Sequence, residues 1–486
     1  RPRPACGYGA PPMTSRHVAL SALLFLLPLF ANAAPPAGVL RKETLTLYVA
    51  GSKVGTLGAT DERTKDGNLR LTRTAAMSVA RGKETLTLGS TTVVDVKEDL
   101  TPIGYTYTRD DGTGVPYRAE GRVTCPTPDN CTLTVTTMLH RNTDRHVVPM
   151  PKGTMLATAV EVHARRNLKE GASWKGPVLV EDAGAIKNGR YSVTQKGNTF
   201  VVDSWMDELN SLDTLNAAGL TIKSEVPALN GIAVPVGSPA PVPGAKPLDV
   251  YAASTWTGPR LPANVNVVRF ELTAAQGDVS PLPSDRRQVV LETSPKKITV
   301  EVRRVPKGPA ETLTDVERQR ALSATPYEPL QDARLRQAAR DARGTASKPK
   351  DIVRNVVLWV HDYVEQKDLS RAYAPATATL ESRQGDCTEH SVLASALLKA
   401  NGVPARLVDG VIAFDGKLGY HEWVEAYVEG EGWTPVDPTF GEPEAGPNRV
   451  KFITGSSDPS DLMSMGLSAA QAFRGLKVTI TGHEPR

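Results

Sequence analysis

Apolar and polar positions along the chain fall into two textures. From about 41 to 305 they alternate with the two-residue period of half-buried strands, broken by turn residues. ETLTLYVAGSKVGTLGATD alternates and turns at a Gly-Ser pair, and ETLTLGSTTVVDV repeats the style. GRYSVTQKGNTFVVDSWMD reads as strand, Lys-Gly turn, strand, and NVVRFELTA, RRQVVLETS and KKITVEVRRV add three more strands. The two ETLTL strings (43–47 and 84–88) are too short to define a repeat. VPVGSPAPVPGAKP, 234–247, fits neither a central strand nor a helix and is expected to be a linker or extended crossing.

At about 325 the period lengthens. PLQDARLRQAARDAR is helix-like, and DIVRNVVLWVHDYVEQ carries Ile352, Val356, Trp359 and Tyr363 as one amphipathic stripe. His361 and Asp362 on that helix are expected to be solvated or capping groups. CTEHSVLASALLKANG puts Val392, Leu393, Ala396, Leu397 and Ala400 on one face, with Gly402 at the C-cap. VPARLVDGVIAF, HEWVEAYVE and GWTPVDPTF then read as antiparallel strands, with Asp415-Gly416 and EGEG as tight turns. The expected architecture is multidomain: an N-terminal antiparallel β-rich region, then a C-terminal α+β domain with a helix packed on its sheet.

Composition changes this picture little. The chain has 486 residues, enough for two or three domains, with 38 Pro, 40 Gly and only 5% aromatics. A net charge of +4, with no long basic run, gives no case for nucleic acid.

The start adds more. Met13 opens a short basic segment with Arg16, followed by the apolar run VALSALLFLLPLF and a small-x-small site at 31–33. The pattern is that of a signal peptide, Met13–Ala33, with the mature chain starting near Ala34 in the periplasm or outside the cell. The run is shorter than the ~20 residues of a membrane span, and no later segment resembles one. The expected boundaries are a leader at 1–33, a β-rich module at 34–232, the Pro-rich crossing at 233–247, a second β segment at 248–310 and the C-terminal domain at 325–486.

Export sharpens the cysteine count. Of four cysteines, Cys6 goes with the leader, and Cys125 and Cys131 flank a turn-forming loop where an oxidising compartment would pair them. Cys387 is left alone. It follows Gly385-Asp386 at a helix start, where unpaired N–H groups and the helix dipole favour an anion, so its pKa is expected to fall. His421 begins one strand and Asp437 ends the next, so a tight hairpin brings them to one sheet edge. A thiol, an imidazole and a carboxylate that orients it form a nucleophile, base and orienter. His390, one turn after Cys387, is expected on the helix surface. No HExxH, paired Cys-x-x-Cys or EF-hand loop occurs, so no metal and no cofactor is inferred.

LESRQGDCTEHSVLASALLKANGVPARLVDG, HEWVEAYV and GWTPVDPTFG resemble the three signature segments of the transglutaminase-like superfamily, which has a papain-like Cys-His-Asp core. The likeness spans roughly 325–455. It implies Cys387 as nucleophile, His421 as base and Asp437 as orienter. GSKVGTL and DSWMDELNSLDTLNAAGLTIKSEVP are similar to a β-rich module found ahead of exported bacterial members. For the oxyanion, the Cys387 backbone N–H needs a second donor, with Gln384 and the Trp359 indole as candidates. Trp423 and Trp433 are expected to wall the site.

The implied chemistry is thiol-dependent acyl transfer on a protein or peptide amide in the cell envelope, through a thioester at Cys387. Water as acceptor makes a cysteine protease or amidase; an amine makes a transglutaminase. The other reading is an envelope binding or scaffold protein whose β-rich half recognises a partner. Neither the acceptor nor the oligomeric state follows from the sequence.

Overall fold

The computed structural model describes residues 37–110, 112, 116–127, 130–368 and 373–485. The expected signal peptide and Cys6 lie outside them.

The N-terminal half is one fifteen-stranded sheet. Strands from Gly38–Val49 to Asn142–Met150 form a consecutive antiparallel meander, and a second meander runs from Ser173–Val180 to Gly231–Pro235. The two are joined where Gly231–Pro235 pairs with Gly38–Val49, Leu45 opposite Pro235. The stretch expected to be outside any central strand therefore enters the middle of the sheet. Pro235 is tolerated there because it ends its strand, where a missing N–H costs least. Beyond it the Pro-rich chain crosses back over the sheet, where Ser52 Oγ donates to the Lys246 carbonyl.

Strand period decides what is buried. Leu69 and Leu71, Val94 and Val96, Tyr105 and Tyr107, and Leu133 and Val135 are two-apart pairs, and all are buried. Cys125 and Cys131 are bonded, as expected. Their separation is only six residues, so reduction is expected to cost about 1–3 kcal/mol of stability. Denaturant titration with and without reductant measures it, and two free thiols in the oxidised protein would contradict the bond.

The α+β C-terminal half has a sheet in which Thr255–Thr257, Lys417–Val428, Ala405–Phe414 and Arg449–Gly455 lie in that order, with Gly432–Val436 also on Lys417–Val428. Asp415 and Gly416, both at positive φ, make the tight turn of its central hairpin. The helix Cys387–Ala400 packs on this sheet, flanked by Ala333–Arg343 and Pro349–Tyr363. The central helix is not the one-faced helix expected: residues 389–399 are all buried, since helices cover the side away from the sheet.

A smaller sheet runs Gln288–Ser294, Lys297–Arg303, Val265–Ala274, Leu476–Pro485. It shares a core with the C-terminal sheet through Phe270, Val300, Val411 and Phe452. The largest core is continuous from the N-terminal sheet (Leu69, Tyr117, Leu133) to the helices (Val356, Val392, Leu397). At that junction the Tyr117 and Tyr327 rings stack at 6.5 Å, and Arg109 donates to the Tyr327 hydroxyl.

Candidate active site

The site is built from the helix start at residue 387. The preceding helix Ala376–Ser382 ends at Arg383, whose φ of 57° turns the chain. Gly385 is needed next: a Cβ there would lie 2.3 Å from that of Glu389. Asp386 and Glu389 form a reciprocal capping box. The Asp386 side chain accepts from Thr388 N at 2.9 Å, and the Glu389 carboxylate accepts from Asp386 N at 2.9 Å. Cys387 thus occupies the first helical position, half-buried and with a free thiol.

The thiol does not follow the helix-terminus expectation. Burial, followed by the Asp386 charge, pushes it well above its ordinary value, against the pull of the Glu422 backbone N–H and of Arg81. Desolvation of the anion outweighs the helix dipole here. Buried carboxyls surround it. Burial and Asp386 push Glu389 up to about 8, and burial raises Asp409 to about 6. Glu422 is raised well above the usual range by burial and Asp409, and its carboxyl accepts from the Tyr373 hydroxyl. Among the described residues no such group is arranged to hold a metal.

Glu422, whose backbone N–H pulls the thiol's pKa down, follows His421 in the strand Lys417–Val428. Register sets Val424 opposite Val436, so Asp437 leaves its strand close to His421. His421 Nε2 and Asp437 Oδ2 are 2.7 Å apart, and both residues are buried. Arg449 donates to the same oxygen through Nε at 3.0 Å and Nη2 at 2.7 Å. Thr439 N donates to Oδ1 at 3.0 Å. Burial alone would raise this carboxyl, but the His421 and Arg449 charges hold it well below the usual range.

The other expected residues divide. Trp423 is buried beside His421, ring centres 6.3 Å apart. Trp433 is not a wall of the site: it pairs with Tyr427, roughly 20 Å along the strand from His421 at ~3.3 Å per residue, under the Arg406 guanidinium. Gln384 Nε2 donates to Gln366 at 2.7 Å, and Trp359 stacks on Tyr363 at 4.3 Å. His390 is buried, not on the surface. Its Nδ1 donates to the Asp386 carbonyl at 2.6 Å, and burial pushes its pKa down.

Sequence reasoning missed Arg449, Glu389, Glu422 and Arg81. Only Glu389 had a local signal, the Asp-x-x-Glu of a capping box.

Residues 336–438 match the sequence profile of the transglutaminase-like superfamily, and this part of the chain is a transglutaminase-like domain. No curated protein matches. Three solved structures share features at low identity. A candidate cysteine protease from Cytophaga hutchinsonii is 16% identical over 48% of this chain and 91% of its own, with a TM-score of 0.32. A β-barrel-like protein of unknown function from Brucella abortus is 10% identical over 40% and 94%, at 0.29. A candidate protease from Parabacteroides distasonis is 12% identical over 70% and 69%, at 0.19.

Proposed function

We propose that this transglutaminase-like domain performs thiol-dependent acyl transfer on protein or peptide amides. The observation that carries the reading is the buried 2.7 Å contact between His421 Nε2 and Asp437, clamped by Arg449. With Nε2 committed to a carboxylate, Nδ1 is the nitrogen left to serve the thiol.

With the thiol pushed up by burial, His421 is assigned the role of general base rather than that of partner to a standing thiolate. Sulfur attacks the amide carbonyl carbon as Nδ1 takes the thiol proton. The C–N bond then breaks, Nδ1 returns the proton to the leaving amine, and a thioester remains on Cys387. Asp437 stabilises the imidazolium between the two steps. The developing oxyanion faces the Cys387 backbone N–H at the helix start. Water or a second amine resolves the thioester, giving a protease or amidase in one case and a protein-glutamine transglutaminase in the other.

The disulfide fits an exported protein, and no helix among the described residues is long and apolar enough to cross a membrane. The test is to trap the thioester. Peptide substrates with and without a labelled amine are incubated with the full chain, quenched in acid and mapped by mass. An acyl adduct on Cys387, absent in Cys387→Ala, is expected. Amide turnover that survives Cys387→Ala would overturn the reading.

A cavity of about 340 Å³ in the N-terminal sheet, lined by Leu57, Arg73, Glu161, Trp205 and Leu215, favours a second reading. In that reading the β-rich half recognises an envelope partner and the domain is a scaffold. An unchanged cellular phenotype in Cys387→Ala would favour it.

A further inference from the structure

One cation near the thiol comes from outside the transglutaminase-like domain. Arg81 ends the strand Leu69–Arg81 of the N-terminal sheet, and its Nη2 lies 2.6 Å from Asp386 Oδ2. The Arg81 side chain is 19% exposed and that of Asp386 4%. The two ends of the Asp386 carboxylate are thus divided. Oδ1 caps the nucleophile helix through Thr388 N, and Oδ2 faces the guanidinium.

The turn that presents Arg81 is braced from a third part of the chain. Ala80 N donates to the Leu248 carbonyl at 3.2 Å, and Gly82 N to Asp249 Oδ1 at 3.1 Å. Asp249 in turn caps the short helix Val250–Ala253. The hairpin is therefore held in place independently of the ion pair it makes.

The charges around the sulfur make this contact consequential. The nucleophile helix contributes Asp386, Glu389 and His390, and the strand Lys417–Val428 contributes Tyr420, His421 and Glu422. Asp409 comes from the neighbouring strand and Tyr373 from the loop before the site. Burial pushes Glu389, Asp409 and Glu422 up and so reduces their charge near neutral pH, which leaves the Asp386 carboxylate, adjoining the thiol in sequence, as the anion that most needs a partner. An uncompensated charge there would oppose any negative charge on sulfur.

We propose that Arg81 is a positioning residue of the active site: the N-terminal sheet supplies in cis the guanidinium that neutralises the Asp386 carboxylate beside the nucleophile. The inference rests on the acyl-transfer reading for its role in turnover, but not for its effect on the thiol. The β-rich half is then part of the active site, besides whatever it binds.

The experiment is Cys387 alkylation by iodoacetamide against pH, read by peptide mass mapping in the full chain. Arg81→Gln, Arg81→Lys, His421→Ala and Arg70→Gln are compared with the native sequence. Arg70 is on the same strand and pairs with Asp95 at the surface, so it controls for loss of a charge from the sheet.

Arg81→Gln is expected to move the profile to higher pH and slow alkylation at pH 8 about tenfold, one pKa unit. Arg81→Lys should keep most of the native rate, and Arg70→Gln all of it. An unchanged profile in Arg81→Gln overturns the proposal. A faster reaction also overturns it, since the hairpin would then be a cover over the thiol. Should Arg81→Gln fail to fold, Asp249→Ala releases the turn without touching the site. The same upward movement is then expected, and its absence counts against the proposal. A profile indifferent to His421→Ala counts against the acyl-transfer reading instead, while the Arg81 comparison still stands.

Discussion

Asp437→Asn is expected to lower turnover by about 10³–10⁴-fold while the chain stays folded. An amide at 437 presents both a donor and an acceptor to His421 Nε2, which now faces a carboxylate oxygen at 2.7 Å. The imidazole loses the partner that fixes its tautomer, and the imidazolium loses its stabilising charge. The stability cost is moderated because Arg449 keeps a second carboxylate, Glu442, at 2.9 Å. The pH dependence has a definite sign. A carboxyl held below its unfolded value adds stability above that value, which is lost as pH falls toward the folded one. The acid limb of the unfolding profile should therefore flatten in Asp437→Asn. Steady-state rates on whichever amide forms the Cys387 adduct, with denaturation curves from pH 2 to 7, test both parts. Native rates in the variant would remove Asp437 from the mechanism.

The second large effect concerns stability. Lys399 Nζ and Glu328 Oε2 lie 2.6 Å apart, with 1% and 0% of their side chains exposed. Lys399 is in the last turn of the helix Cys387–Ala400, where a cation also meets the negative end of the helix dipole. Ser457 Oγ donates to the other Glu328 oxygen at 2.9 Å. Lys399→Met leaves Glu328 charged with no counter-ion, or forces it to take a proton. The expected loss is about 3–5 kcal/mol. Replacing both, Glu328→Leu with Lys399→Met, should recover most of it, because the desolvation of both charges goes as well. Urea denaturation measures each variant. A single variant within about 1 kcal/mol of the native chain would mean that water reaches the pair.

Legibility in the sequence followed distance along the chain. The helix start at Cys387 could be read because turn, cap and first position are neighbours. The His421–Asp437 pairing could be read because a tight hairpin fixes register. The same register removes Trp433 from the site, since a residue near the turn pairs far from the strand's start. His390 was misplaced because helical periodicity does not reveal a helix covered on every side. The thiol's direction was misjudged because the dipole is local, whereas burial depends on what packs over it. Arg449, Arg81 and Glu328 reach their partners only through tertiary packing. The same holds for the boundaries: alternation shows strands at 265–303 but not that 476–485 completes their sheet.

That last pairing bears on how the molecule is made. Val265–Ala274 lies between Lys297–Arg303 and Leu476–Pro485, with Val265 opposite Pro485. During synthesis the first neighbour arrives soon, and the second only after the whole transglutaminase-like segment has been added. Until then one edge of a strand carrying Phe270 and Leu272 has no ladder partner, open to pairing with another chain. Such long-range closure is slow, so the nascent protein passes through an extended period of vulnerability that the finished one does not share.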